Sequence, residues 1–138
     1  MNEDIKALIE AACAIRQNSY SPYSKFRVGA ALRGQSGKIY LGTNVENASF
    51  GLSICAERAA VCQAVTAGER AFTAVAICAD GPEPTPPCGA CRQVLLEFGA
   101  DLPVYFAGEQ GADGPVVQAT TSELLSHAFI DFRPQDRG

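Results

Sequence analysis

Apolar residues near the start of the chain recur at helical spacing. Ile5, Leu8, Ile9, Ala12 and Ile15 fall on one face of a 3.6-residue repeat. Asn2 offers a side-chain oxygen to cap that helix, and Ser21-Pro22 in "NSYSPYS" ends it, because the residue before proline is driven out of the helical region. "FRVGAALRG" and "IYLGTNV" flank the turn "QSGK", which predicts a hairpin. "NASFGLSI" has no period and reads as loop. From Cys55 to Ala67 the spacing is helical again, with Gly68 as the stop. "FTAVAICA" is apolar without alternation, as expected of a strand covered on both faces. The loop "DGPEPTPP" leads into a further helix from Cys88 to about Phe98, closed by Gly99. "LPVYFAG" and "PVVQATT" read as the last two strands, and Thr120 with Glu123 forms a capping box for a short final helix. The order α, β, β, α, β, α, β, β, α predicts the α/β class: one three-layer α/β/α sandwich around a mixed five-stranded sheet. The pattern leaves the strand order open.

Composition adds limits. The chain has 138 residues, 47% hydrophobic and 19% charged, which suits one globular domain over 1–138. No internal repeat or linker divides it. The net charge is −4 and the basic residues are scattered, which argues against a surface that tracks the phosphates of a long nucleic acid. The start "MNEDIKALIEAAC" lacks the basic end and long apolar run of a signal peptide, and no apolar stretch is long enough for a membrane span. The expectation is a cytoplasmic protein with no membrane partner.

Six cysteines require an account. Cys13, Cys62 and Cys78 sit within apolar patterns and are expected to be small buried hydrophobes. Cys88 and Cys91 are three apart at a helix start, preceded by Pro86-Pro87. That spacing turns both sulfurs to one side. Taken alone, "CGAC" reads as a redox pair, a metal site or neither. Cys55, at another helix start, is the best third ligand, since the only histidine, His127, lies far along the chain. A catalytic zinc takes three protein ligands and keeps one open position, whereas a structural zinc normally takes four. Cys55-Ala56-Glu57 followed by Pro87-Cys88-Gly89-Ala90-Cys91 matches the signature of the zinc deaminases. Three thiolates outweigh the charge of one zinc ion. Two helix N-termini and hydrogen bonds from Arg58 to the sulfurs are expected to offset this. Glu57 beside such a site is positioned to move protons.

Beyond these motifs, "YSPYSKFRVGAAL", "TNVENAS", "CAERAAV" and "PCGACRQVLLEF" resemble, in order, segments of the small homotetrameric cytidine deaminases. The resemblance covers nearly the whole chain and implies that family's fold. It implies one catalytic zinc per subunit on Cys55, Cys88 and Cys91. A zinc-bound hydroxide would attack C4 of cytosine while Glu57 protonates N3 and helps ammonia leave. It implies Phe26 stacking on the base, the Ala56 backbone facing the exocyclic amine, and Asn44 with Glu46 on the ribose 3′-hydroxyl. Ala48 and Phe50 are expected to reach a neighbouring subunit's nucleoside, and Phe129 to cover a neighbouring site. This sequence departs from the family pattern at Phe50, where tyrosine is common, and at Ser126 and Ile130, where proline and glycine are usual.

The implied activity is hydrolysis of cytidine and 2′-deoxycytidine to the uridines in pyrimidine salvage. A deaminase of modified cytosine nucleosides, of the blasticidin type, shares "CAE" and "PCGxCRQVL"; "NVENAS" favours ordinary nucleosides. A non-catalytic zinc module is the alternative outside the enzymes, and Glu57 discriminates, since a scaffold has no use for a carboxylate at an open coordination position.

Overall fold

The structure, a computed structural model, describes residues 1–130. Its helices and strands follow the predicted order: α1 (Glu3–Ile15), β1 (Val28–Gly34), β2 (Ile39–Thr43), α2 (Ala56–Thr66), β3 (Phe72–Ala79), α3 (Gly89–Leu96), β4 (Pro103–Ala107), β5 (Val116–Thr120) and α4 (Thr121–Leu124). Asn2 caps α1 by accepting from the Ile5 N–H. The capping box of Thr120 and Glu123 opens α4.

The five strands form one sheet in the order β2-β1-β3-β4-β5. β1 pairs antiparallel with both β2 and β3, β3 pairs parallel with β4, and β4 pairs antiparallel with β5. The sheet is therefore mixed, and the single parallel pair is joined through α3, since parallel neighbours need a crossover.

Alternation along the strands divides the core. Ala30, Leu32, Val75, Ile77, Val104 and Phe106 face α2 and α3, joined by Ala60, Val61 and Leu95. Ala31, Ala74, Ala76, Cys78 and Ala107 face α1, against Ile5, Leu8, Ile9 and Ala12. The three predicted layers follow from this. Each fully buried leucine or isoleucine contributes about 1.5–3 kcal/mol. The α1 face of the sheet is built of small residues, which lets that helix lie close.

Cys78 is buried in the core as expected and Cys13 packs partly buried against it, but the two are not separate thiols and Cys62 is not buried. Cys13 of α1 and Cys78 of β3 are joined as a disulfide, because helix α1 lies directly over the small-residue face of β3. Cys62 is exposed, on the side of α2 away from the sheet.

No helix among the described residues is long and apolar enough to cross a membrane.

Candidate active site

Two helices begin at the same place. Cys55 is the N-cap of α2 and Cys88 the N-cap of α3, where its sulfur accepts from the Cys91 N–H. Cys91 follows within the first turn of α3 and is fully buried. Pro87, also buried, carries the chain into that turn. Cys55 and Cys88 Sγ are 3.7 Å apart, and all three sulfurs lie within 4.8 Å of one another. Two thiolates about 2.3 Å from a tetrahedral zinc stand about 3.8 Å apart, so the donor set fits such an ion in both chemistry and spacing.

The electrostatics follow from crowding. Hydrogen bonding from Cys91, helped by Arg58 and Cys88, pulls the Cys55 thiol down to about 5. The Cys91 thiol is pushed up by its hydrogen bond to Cys55 and by burial. Three adjacent thiols cannot all ionise without a cation among them. Arg58 Nη2 donates to Cys55 Sγ at 3.4 Å, which is the contact expected of it, and its buried Nε has no hydrogen-bond partner among the described residues.

Glu57 sits in the first turn of α2, only 5% exposed. Burial raises its carboxyl to about 7, and the neighbouring Cys55 charge adds to this. A carboxyl at that value is able both to take and to return a proton near neutrality.

Cys55, Cys88, Glu57 and Arg58 line one cavity of about 450 Å³, together with Ser24, Phe26, Asn44, Glu46, Phe50 and Ala56. Of the residues singled out from the sequence, Cys55, Glu57, Arg58, Cys88, Phe26, Asn44, Glu46, Ala56 and Phe50 all reach this cavity. Cys91 stands behind it, buried against the other two sulfurs. Ala48 and Phe129 do not line it. Phe50 is 77% exposed at its rim and meets Tyr23 edge-on at 6.2 Å. Phe129 is exposed too, and its carbonyl accepts from Gln93 Nε2 of α3 at 2.7 Å, so the C-terminal segment is tied to the helix that carries Cys91. The residues from Asp131 onward lie outside the described residues.

Asn44 and Glu46 are already partly engaged. Asn44 Oδ1 accepts from the Val28 N–H at 2.9 Å and from the Ser19 hydroxyl, while its Nδ2 donates to the Phe26 carbonyl at 2.8 Å. Glu46 accepts from the N–H groups of Tyr23 and Ser24 and from the Ser24 hydroxyl. One N–H of Asn44 and free lone pairs of Glu46 remain. Sequence reasoning missed Ser24, Thr85 and other wall residues. Ser24 lay in a quoted segment, "YSPYSKF", but no chemical signal set its hydroxyl apart from its neighbours.

Comparison with known proteins shows the family. Residues 2–107 match the family model described as the cytidine and deoxycytidylate deaminase zinc-binding region. A cytidine deaminase of Halalkalibacterium halodurans is 47% identical over 127 residues, covering 91% of this chain and 94% of that protein. A crystal structure of cytidine deaminase from Burkholderia pseudomallei superposes with a TM-score of 0.85 at 46% identity, covering 94% of this chain and all of that one. The structure of the Mycobacterium tuberculosis cytidine deaminase superposes with a TM-score of 0.78 at 36% identity, over 93% of this chain and 98% of that one. A family model matched over residues 2–107, relatives identical at nearly half of the aligned positions and a shared fold have one consequence: this chain belongs to the cytidine deaminase family.

Proposed function

We propose that the whole chain is one catalytic domain that hydrolyses cytidine and 2′-deoxycytidine to uridine and 2′-deoxyuridine, releasing ammonia, in pyrimidine salvage. The observation that carries this reading is the buried carboxyl of Glu57 on the wall of a cavity that also holds Cys55, Cys88 and Phe26. A structural metal site gains nothing from such a carboxyl.

Cys55, Cys88 and Cys91 hold one zinc ion per subunit, which supplies Lewis acidity that makes a water molecule reactive near neutral pH. The chain's own residues do the rest. The cytosine ring lies against Phe26, with C4 toward the thiolate cluster and the exocyclic amine toward the Ala56 backbone. Glu57 takes a proton from the attacking water and gives it to N3. It then takes the proton of the hydroxyl added at C4 and gives it to the amine as the C4–N bond breaks and the C4 carbonyl forms, so that water and cytidine become ammonia and uridine. Its elevated proton affinity suits a group that must work in both directions. Arg58 draws charge from Cys55. The remaining N–H of Asn44 and a lone pair of Glu46 meet the ribose 3′-hydroxyl, which is both donor and acceptor.

The protein works as a cytoplasmic homotetramer with shared sites, in which Ala48, Phe50 and Phe129 reach a neighbour's nucleoside. The exposure of the two aromatic rings, 77% and 65%, supports this reading, because large apolar groups left in water mark contact surfaces.

The test is ammonia release from cytidine and deoxycytidine by wild type and Glu57→Gln at equal zinc content. Wild type releases ammonia and the variant loses about 10²–10⁴-fold in rate, the range of positioned acid–base groups. Equal rates would remove Glu57 from the chemistry.

A further inference from the structure

The ring of Phe26 is held by no regular structure. β1 begins only at Val28, Lys25 lies at φ 59°, and Phe26 itself is 37% exposed. Side chains must fix it instead. Its N–H donates to the Ser24 hydroxyl at 3.0 Å and its carbonyl accepts from Asn44. The peptide beyond is gripped by a residue outside the cavity, Asp80, which directly follows β3.

Asp80 Oδ2 accepts from the Arg27 backbone N–H at 2.9 Å and from Arg27 Nε at 3.0 Å. Its Oδ1 accepts from Arg27 Nη2 at 3.1 Å, and its own N–H donates to the Arg27 carbonyl at 3.0 Å. Both backbone groups of Arg27 therefore end on Asp80. Behind the pair stands Arg16, with a side chain only 9% exposed, whose Nη1 lies 3.4 Å from Asp80 Oδ1 and donates to the Ala79 carbonyl. The second charge holds the carboxylate in place and keeps it ionised.

We infer that Asp80 is a positioning residue for nucleoside binding: by clamping the main chain and side chain of Arg27, it sets the direction in which Phe26 presents its ring to the cavity. The inference rests on the reading of Phe26 as the surface against which the base stacks. A preorganised ring saves the ordering cost of binding. It helps ground state and transition state alike, so its loss appears in KM and leaves kcat nearly intact.

The experiment compares wild type, Asp80→Asn, Arg27→Met and Glu69→Gln. Glu69 accepts from Tyr40 and Ser36 at the β1–β2 turn, away from the cavity, and its variant reports simple destabilisation. Steady-state kinetics with cytidine are paired with calorimetric affinity for uridine. Asp80→Asn raises KM and weakens uridine binding about tenfold while kcat shifts about twofold or less, the pattern of lost uniform binding. Arg27→Met, which spares the backbone clamp and Arg16, shows the same pattern at smaller size, and decides the matter if Asp80→Asn does not fold. Glu69→Gln leaves KM and the uridine affinity at wild-type values. Unchanged KM in the folded clamp variants, or an equal rise in Glu69→Gln, overturns the inference. Absence of cytidine turnover by wild type overturns the reading of the site, and the inference with it.

Discussion

Gly42 of β2 faces the first turn of α2. A Cβ at that position would stand 2.4 Å from the Ala56 carbonyl oxygen and 2.5 Å from the Ala60 nitrogen. Both are backbone atoms, so no side chain is able to swing aside. Ordinary contact begins near 3.4 Å, and restoring it in Gly42→Ala parts the helix start from the sheet by about 1 Å. Gly42 pairs with Ala30 inside the sheet, which resists the shift. Overpacking of this kind costs about 1–3 kcal/mol. The functional cost is of similar size, because Ala56 is followed by Glu57 and preceded by Cys55. A displacement of about 1 Å of a catalytic group costs about 10²-fold in rate. The assay is kcat with cytidine, measured on protein of known zinc content at a temperature well below its melting point. The expected result is a folded protein with zinc content reduced or retained and kcat lowered about a hundredfold. Folded, zinc-loaded Gly42→Ala with kcat within about twofold of wild type would refute the argument that this approach sets the geometry of the site.

Three further outcomes follow from the same structure. Arg58→Gln keeps zinc but lowers kcat about tenfold, since a charged hydrogen bond to Cys55 is replaced by a neutral one; metal analysis with kinetics checks it, and unchanged turnover removes Arg58 from the mechanism. Chelation abolishes activity and zinc restores it, and zinc binding releases protons because the ligands must bind as thiolates; calorimetry in buffers of different ionisation enthalpy reads the release. Arg27 holds the Asp80 carboxyl below its ordinary value against the opposing effect of burial. A depressed acid contributes stability above its unfolded value of about 3.9. The stability advantage of wild type over Asp80→Asn is therefore full near neutrality and fades as pH falls below about 4 through the folded-state value. Denaturant midpoints at neutral and acid pH test this, and an advantage that persists below that range contradicts the assignment.

Much of this molecule was legible because local rules and long-range packing agree. The unalternating "FTAVAICA" announced a strand covered on both sides, and β3 is buried from Ala74 to Ala79. Cys55 and Cys88 were placed at helix starts from the pattern alone, and both are N-caps. What escaped depends on register. Cys13 and Cys78 are 65 residues apart, and their meeting depends on where α1 crosses β3, which no spacing reports. The clamp of Asp80 on Arg27 escaped for the same reason, since Arg27 reads as an ordinary polar residue at a strand start. Cys62 shows the converse: "AERAAVCQAV" is apolar enough all round that its outward position had no marker.

The three sulfurs come from two elements separated in the chain by β3. An ion held among them is a cross-link between helix starts 33 residues apart. Local opening of either first turn then requires breaking a bond to the same ion. The two helices lose their independence, and amide exchange at both helix starts should slow together when the ion is bound. On the proposed reading, a metal held there would have a mechanical role besides its chemical one: it would convert two separately fraying ends into one cooperative unit and keep the walls of the cavity in register.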